Sequence, residues 1–313
     1  MSDWTDAAGV DVAIPADDTW RFGGIPFGLE PLFLPPRWIR PDESARTLPD
    51  DPERLPTGTA PEPEVLAGLV PSDGDEVDRL FWFRWITGHQ VTFLLWQLLA
   101  GVMADVPDGS GAVRRARLYV RGYSQMLLYS SSCPRDVYGR VIRSTLFRQH
   151  PNLSGSWARD YRPVRDLLRG KVDVPGPAGS ALAEECALND RIHNGIATKL
   201  VPSGVSLLQS AQGHRGPAAG RDMLRALYDG TFLTMRASGT DWRAVVTQLV
   251  RRLQAVNLDV AANGLYPEWA PSRAEEPIEL QEPPAVRCKA ELPGTLAEIA
   301  RTALTAGAPA RLA

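Results

Sequence analysis

Hydrophobic residues are most concentrated in one stretch in the first third of the chain. Residues 81–100 read FWFRWITGHQVTFLLWQLLA, which is apolar on almost every side at helical spacing. The residues on or beside one face of this helix are Phe81, Trp85, His89, Phe93 and Trp96. Helices that are apolar all round are typical of protein interiors. The pattern therefore predicts a buried central helix in which one imidazole lies among aromatic rings.

Further helices are predicted from apolar periodicity, hydroxyl caps and Gly or Pro stops. They cover about residues 113–129, 135–147, 180–200, 222–235, 240–260 and 295–306. No alternating strand pattern of useful length occurs, so the predicted fold class is mainly α. In the helix over 180–200, His193 is expected on the inward face with Leu182, Cys186 and Leu200.

The first part of the chain differs from the rest in composition. It is rich in Pro and in acidic residues, with PP at 35–36 and PEPE at 61–64, which long helices do not tolerate. We therefore divide the chain into a Pro-rich, largely non-helical N-terminal arm over residues 1–72 and an all-helical domain over 73–313. The aromatic stretch from Trp20 to Ile39 is expected to lie extended against that domain.

Composition and charge exclude several classes of partner. The chain has 34 basic and 37 acidic residues, a net charge of −3 and no basic run interleaved with aromatics, so nucleic acid is not expected to bind. Arg84 and Gln97 interrupt the apolar stretch, which argues against a membrane span. The acidic N-terminus has no secretion signal, which predicts a cytoplasmic protein. The three widely spaced cysteines suggest neither a zinc site nor a disulfide framework.

Several reaction classes lack their sequence motifs. The chain has no HExxH, GxSxG, GxGxxG, Walker or ExxH motif. Too few ligand-type side chains are expected inside to coordinate a stand-alone metal ion. A haem would need one axial imidazole and would leave a second free to act as acid or base. The alternative, that His89 and His193 are two unrelated core histidines, stays open on the residues alone.

Three segments resemble parts of the tryptophan 2,3-dioxygenase superfamily. The run ITGHQVTFLLW is similar to its distal-histidine helix, where an apolar stretch is followed by His-Gln and then Leu-Trp. Residues 190–236 are similar to the proximal region, where an axial His precedes a Gly-rich loop and a further helix. The run VRGYSQMLLYSSSCPRDVYGRVIR between them resembles the substrate-side segment. The short chain, the Pro-rich arm and the start FWFRWITGHQ look most like bacterial haem-dependent L-tyrosine hydroxylases.

This resemblance implies a single helical domain of the tryptophan/indoleamine 2,3-dioxygenase type, with haem b between core helices. It implies hydroxylation of L-tyrosine at ring position 3 to L-DOPA, driven by hydrogen peroxide, in the biosynthesis of antibiotics with alkylproline units. His193 is then expected to be the axial iron ligand, with Asp190 or Asn189 accepting from its other ring nitrogen. His89 is expected on the opposite face of the haem as acid–base group, and Trp85 as a wall of the haem site.

The amino-acid end of the substrate is expected to meet arginine and serine side chains. The candidates are Arg121, Ser130, Ser131, Ser132 and Arg135. His214, in a loop between glycines, competes with His193 as iron ligand, and Cys133 is a weaker candidate because it precedes a proline.

Two other functions remain as alternatives. A tryptophan or indole oxygenase of the same superfamily would use ferrous haem and dioxygen instead of peroxide. A non-catalytic haem-binding helical protein would merely pack His89 in its core. The expected partners are thus an aromatic amino acid with peroxide or O2, and because many members of the superfamily are oligomers, a homo-oligomer stays open.

Overall fold

The computed structural model describes residues 21–22, 25–37, 63–104, 110–201, 220–270 and 276–305. This part of the chain is mainly helical, as the hydrophobic pattern predicts. None of the described helices combines the length and the apolarity that a membrane crossing requires.

The helices and strands follow in chain order. The helices are α1 Pro63–Ala67, α2 Gly74–Met103, α3 Ser110–Ser130, α4 Arg135–Val137, α5 Ser144–Gln149, α6 Tyr161–Leu168, α7 Gly176–Leu200, α8 Arg221–Thr231, α9 Trp242–Asn263, α10 Ile278–Gln281, α11 Pro283–Ala290 and α12 Leu292–Thr305. A π-helical turn, Tyr138–Arg143, joins α4 to α5, and a 3-10 turn, Gly155–Trp157, precedes α6. The strands are β1 Arg21–Phe22, β2 Ile25–Pro26, β3 Leu32–Leu34 and β4 Thr234–Arg236.

Helix α2 is the predicted central helix, and it is longer than its apolar stretch. Its start is fixed by reciprocal capping, since Asp73 accepts from the backbone N–H of Glu76 at 2.8 Å and Glu76 accepts from that of Ser72 at 2.8 Å. Helix α3 packs along α2 and also against α7. A Cβ at Gly88 would lie 3.0 Å from the Cβ of Ser130, so glycine permits the close approach of α2 and α3 beside His89.

A buried ion pair ties α2 to α9. The side chain of Arg84, fully buried, donates to Asp259 at 2.7 and 2.9 Å and to the carbonyls of Gly264 and Leu265 at 2.8 Å. Asp259 also accepts from the hydroxyl of Tyr129 at 2.6 Å. Because every group in this network has a partner, the charges are tolerated in the interior.

Part of the arm is built into the helical body. Strand β3 pairs in parallel with β4, and Leu32 and Leu34 are fully buried while Phe33 faces outward. The side-chain amide of Gln248 on α9 completes the other edge of β3, accepting from the N–H of Phe33 at 2.7 Å and donating to its carbonyl at 2.8 Å. The described section of the arm therefore lies against the body, and the division at residue 72 stays a prediction.

Some elements differ from the predicted ones. The apolar periodicity places one helix over 222–235, but α8 ends at Thr231 and the chain turns into β4. Helices α10 and α11 lie in a Pro- and Glu-rich stretch that the sequence analysis leaves without helices. In both helices Pro stands at or before the first turn, where its missing N–H costs no hydrogen bond.

We predict that Asp259→Asn lowers the free energy of unfolding by about 3–5 kcal/mol, because it leaves the buried Arg84 without a charged partner. The matched control is Asp78→Asn, which breaks an ion pair with the largely exposed Arg140 and should cost about 0–1 kcal/mol. Urea denaturation of the three proteins measures both values. Equal losses in the two variants would contradict the structural role assigned to the buried pair.

Candidate active site

The ring of His89 is enclosed by aromatic side chains from two parts of the chain. On its own helix, Trp85 lies 4.5 Å away and Phe93 lies 6.5 Å away between ring centroids. On the other side Phe232, just after α8, stacks on the imidazole at 4.5 Å with an angle of 18° between the rings. Tyr228 closes the cluster by contacting Phe232 at 4.9 Å. The predicted aromatic surroundings of His89 are therefore present, with walls that come from α2 and α8.

One hydrogen bond fixes the tautomer of His89. Its Nδ1 lies 2.7 Å from the carbonyl oxygen of Trp85, one turn earlier in α2. Because a carbonyl only accepts, Nδ1 must carry the proton and donate it. In the neutral ring the lone pair is then on Nε2, which makes no hydrogen bond to the described residues.

The pKa of His89 is shifted by its surroundings. Burial among the rings lowers the pKa from 6.5 to about 4, and the hydrogen bond to the Trp85 carbonyl opposes this only in part. No charged side chain contributes to the shift. At neutral pH the site thus offers an uncharged imidazole with an available lone pair.

The donor set around His89 suits a haem-facing site. The indole N–H of Trp85 is buried and has no hydrogen-bond acceptor among the described residues, so it is able to donate to a bound group. The described residues hold no cluster of three His, Cys, Asp or Glu side chains that could coordinate a metal ion. A haem does not need such a cluster, because its porphyrin supplies the other donors. His89 and Trp85 therefore fit a haem, as a polar group and a wall within an aromatic enclosure.

His193 does not point inward, which corrects the expectation from periodicity. Its side chain is exposed on α7 and makes no hydrogen bond to the described residues. The two expected acceptors bond elsewhere, since Asp190 accepts from Asn194 at 3.1 Å and Asn189 donates to Ser124 at 3.0 Å.

The reason lies in the way the second half of α7 packs. Leu188 and Ile192 are buried in a cluster with Leu280 of α10. A Cβ at Gly195 would lie 2.9 Å from the side chain of Leu280, so α10 lies directly against this part of α7. Close packing of this side turns the ring of His193 away from the core.

Arg121 is already paired within the protein. Its guanidinium donates to Glu185 of α7 at 2.5 and 2.8 Å and to Glu291 at 2.6 Å. The carboxylate of Glu185 is buried, so this bidentate pair joins α3 to α7. The structure gives Arg121 a structural partner in place of a substrate carboxylate.

The three serines and Arg135 are also bonded to the main chain. The hydroxyls of Ser130, Ser131 and Ser132 donate to backbone carbonyls one turn earlier, at 2.7, 2.6 and 2.7 Å. The guanidinium of Arg135 donates to the carbonyl of Lys199 at 3.0 Å, near the end of α7. These contacts lie around the end of α3, where the hydroxyls and the guanidinium already have partners within the protein.

The other two ligand candidates gain no support. Burial raises the pKa of the Cys133 thiol to about 12, so it stays protonated at neutral pH and is a poor metal ligand. His214 lies outside the described residues.

Phe232 and Tyr228 are the site residues that sequence reasoning missed. They follow a Gly-rich stretch and lie in a region expected to continue as a helix. No local pattern indicates that they meet His89, because the contact depends on how α8 and β4 fold back onto α2. An aromatic pair four positions apart at the end of a predicted helix is the only signal that points to them.

Comparison with known proteins gives one finding. Residues 37–189 are similar to the model of a family described as SfmD 3-methyl-L-tyrosine peroxygenase. The matched region is just under half of the chain and contains His89 and Trp85, but it ends before His193 and Phe232. No curated protein matches the chain. The similarity supports an oxidoreductase of the peroxygenase kind.

We predict that the free energy of unfolding falls by about 2 kcal/mol through His89 as the pH drops from about 6.5 to about 4. In this range the unfolded chain binds a proton that the folded chain, with a pKa of about 4 at His89, does not bind. The measurement is denaturation at a series of pH values in wild type, His89→Gln and His193→Gln. The fall should be smaller in His89→Gln and the same as wild type in His193→Gln, where the altered ring is exposed. Equal falls in all three proteins would show that the pKa of His89 is not lowered in the folded protein.

Proposed function

We propose that this protein is a haem-dependent peroxygenase that hydroxylates L-tyrosine at ring position 3 to give L-DOPA, with hydrogen peroxide as oxidant. In this reaction one oxygen atom of peroxide enters the ring and the other leaves as water. Two independent observations support the proposal: the family similarity over residues 37–189, and the aromatic enclosure of a neutral His89. The place of the reaction in antibiotic biosynthesis rests on the resemblance alone.

The arrangement around His89 carries the proposal. A haem, when bound, would supply the iron that activates peroxide. The side chains of the protein then have to move protons and exclude water. His89 is suited to the first task, since its Nε2 can take a proton while Nδ1–H stays bonded to the Trp85 carbonyl.

The aromatic walls are suited to the second task. Trp85 and Phe232 each lie 4.5 Å from the imidazole between ring centroids and limit the access of water to it, so that His89 is only partly exposed. Flat apolar walls of this kind also suit the ring of an aromatic amino acid, which can stack against them. The orphaned indole N–H of Trp85 offers a donor to the bound haem or substrate.

His193 is the proposed axial ligand. What supports it is the resemblance of residues 190–236 to the proximal region of the superfamily. The ring of His193 is exposed on α7 and no contact among the described residues joins it to His89, so the assignment rests on that resemblance. His150 is a less suitable ligand, because its Nδ1 accepts from the N–H of Asn152 at 3.0 Å and its ring contacts Trp157.

The family similarity favours an alternative substrate in place of L-tyrosine. The description of that family names 3-methyl-L-tyrosine, which differs from L-tyrosine by one ring methyl group. One methyl group in an apolar pocket changes binding by about 1–3 kcal/mol, so kcat/KM should separate the two substrates by roughly tenfold or more. Peroxide-dependent turnover of both compounds, and of L-tryptophan, decides which of them the enzyme prefers.

We predict that His193→Ala abolishes stoichiometric haem binding, because it removes the axial imidazole. The measurement is the Soret absorbance of the full-length protein titrated with haem, then with L-tyrosine. His150→Ala is the matched control and should bind haem like wild type. If His193→Ala keeps the wild-type Soret band, His193 is not the ligand; if the wild-type protein binds no haem, the proposed function fails.

We also predict that His89→Ala keeps bound haem but loses about 10²–10⁴-fold in kcat, which is the usual contribution of general acid–base catalysis. The assay is the formation of L-DOPA from L-tyrosine and peroxide, with product identity checked by mass spectrometry. Full turnover in this variant would contradict the role of His89. Turnover of L-tryptophan with dioxygen but not of tyrosine with peroxide would favour the superfamily's oxygenase activity instead.

A further inference from the structure

A strained turn follows α8 and carries Phe232. The next residue, Leu233, has a φ of 50°, which is the left-handed region that side chains with a Cβ rarely adopt. Such strain persists only where the surroundings enforce it, and it is common at functional sites. The neighbours of this turn show what keeps it in its conformation.

Hydrogen bonds from two other parts of the chain hold the turn. The side-chain amide of Gln90 donates to the carbonyl of Phe232 at 3.0 Å, and the N–H of Leu32 donates to the carbonyl of Leu233 at 2.9 Å. The ends of the turn are joined by an ion pair between Asp229 and Arg236 at 2.6 Å. The turn is therefore held by hydrogen bonds at Phe232 and Leu233 and by the ion pair between the residues on either side of them.

The Gln90 contact connects the turn to the arm. The same amide donates to the carbonyl of Glu30 at 3.0 Å, and its oxygen accepts from Arg252 at 2.8 Å. Arg252, fully buried, donates also to the carbonyls of Glu30 and Pro31 at 3.1 and 3.0 Å. Gln90 directly follows His89 on α2, so the residue that holds Phe232 also fixes the chain beside the imidazole.

The result is a ring placed flat against His89. Phe232 is 2% exposed and stacks on the imidazole at 4.5 Å with an angle of 18°. It cannot easily rotate, because Phe93 contacts it edge-on at 5.5 Å and Tyr228 at 4.9 Å. One face of His89 is thereby covered by a buried side chain that is itself packed against two other aromatic rings.

Few other groups act on the imidazole. The titratable side chains of the elements packed nearest are Tyr138, which contacts Trp85 at 5.8 Å, and Tyr228, which contacts Phe232. Burial raises the pKa of both phenols, so they are uncharged at neutral pH. With no charged side chain acting on His89, its protonation depends on how well water is excluded.

We propose that Phe232 is a positioning residue for His89: the strained turn presses its ring onto the imidazole, keeps that face dry and holds the ring in the orientation that Nδ1–H sets. The part of this inference that concerns catalysis rests on the proposed function. It assigns a role to the strain at Leu233, beside the part that this turn takes in joining β4 to β3.

The test is an NMR titration of the imidazole of His89 in the full-length protein without added haem. In wild type the ring protons of His89 should be shifted upfield by the ring current of Phe232. In Phe232→Leu this displacement should decrease to the part that Trp85 causes, and the pKa should rise from about 4 towards 6.5 because water reaches the ring. Phe232→Tyr, which keeps the aromatic ring, should restore both values.

The matched control is Phe83→Leu, the same substitution at a fully buried phenylalanine of α2 that packs against Phe27. It should lower stability without moving the His89 titration. The proposal is overturned if wild type shows no upfield displacement, if Phe232→Leu titrates like wild type, or if Phe83→Leu raises the pKa equally.

The same variants separate this inference from the proposed function. In the haem-loaded enzyme, the acidic limb of the kcat/KM profile should move to higher pH in Phe232→Leu, parallel to the NMR titration. An unmoved limb would overturn the positioning role in catalysis. The NMR results could be as expected while neither wild type nor any variant hydroxylates a tyrosine with peroxide. In that case the proposed function is wrong and the contact of Phe232 with His89 stands.

Discussion

The packing of this protein depends on one constraint. The polar side chains that the otherwise apolar helix α2 carries into the interior require hydrogen-bond partners there. Helix α2 carries Arg84, Gln90 and Gln97 into the interior, and a buried polar group without a partner costs free energy. Arg84 therefore binds Asp259 of α9, and Gln97 donates to Asp160, which in turn pairs with Arg236. Gln90 joins the arm, α9 and the turn after α8. Since each partner comes from a different part of the chain, these few contacts fix the packing around α2 more specifically than apolar contacts alone.

His89 differs from these side chains in where its partner lies. Its one hydrogen bond is made to the carbonyl of Trp85 within the same helix, so it holds no distant element in place. Here one nitrogen fixes the ring and the other makes no bond to the described residues, in an enclosure of aromatic rings. This asymmetry is the feature on which the proposed acid–base role of His89 rests.

The sequence predicts the parts of the molecule that depend on local pattern. Periodicity and caps locate α2, α3, α7 and α9 and the mainly α class, because apolar spacing and N-capping act within a few residues. The aromatic neighbours of His89 on its own helix follow from the same spacing. The residues that come from elsewhere do not, and Gln90 and Phe232 meet across 142 positions.

Tertiary packing also overrides local pattern. The ring of His193 is exposed although the stripe of its helix predicts the opposite, because Gly195 admits Leu280 against another side. Arg121 and Arg135 look in the sequence like free cations that could bind a carboxylate. Their partners, Glu185 and the carbonyl of Lys199, are visible only in the folded chain. Sequence reasoning thus predicted aromatic neighbours of His89 on its own helix, and it could not predict the side chains whose partners lie far away in the chain.

The low proton affinity of His89 is consistent with a site that transfers protons. An imidazole with a pKa of about 4 binds a proton weakly, and a group that takes a proton during a reaction must also return it. Burial alone would make the ring an even weaker base, but the Trp85 carbonyl offsets part of that loss by accepting from Nδ1–H and stabilising the charged form. Because burial weakens proton binding and the Trp85 carbonyl partly restores it, His89 can hold a proton briefly among apolar side chains. The strained turn at Leu233 is then the structural cost of keeping water away from that residue.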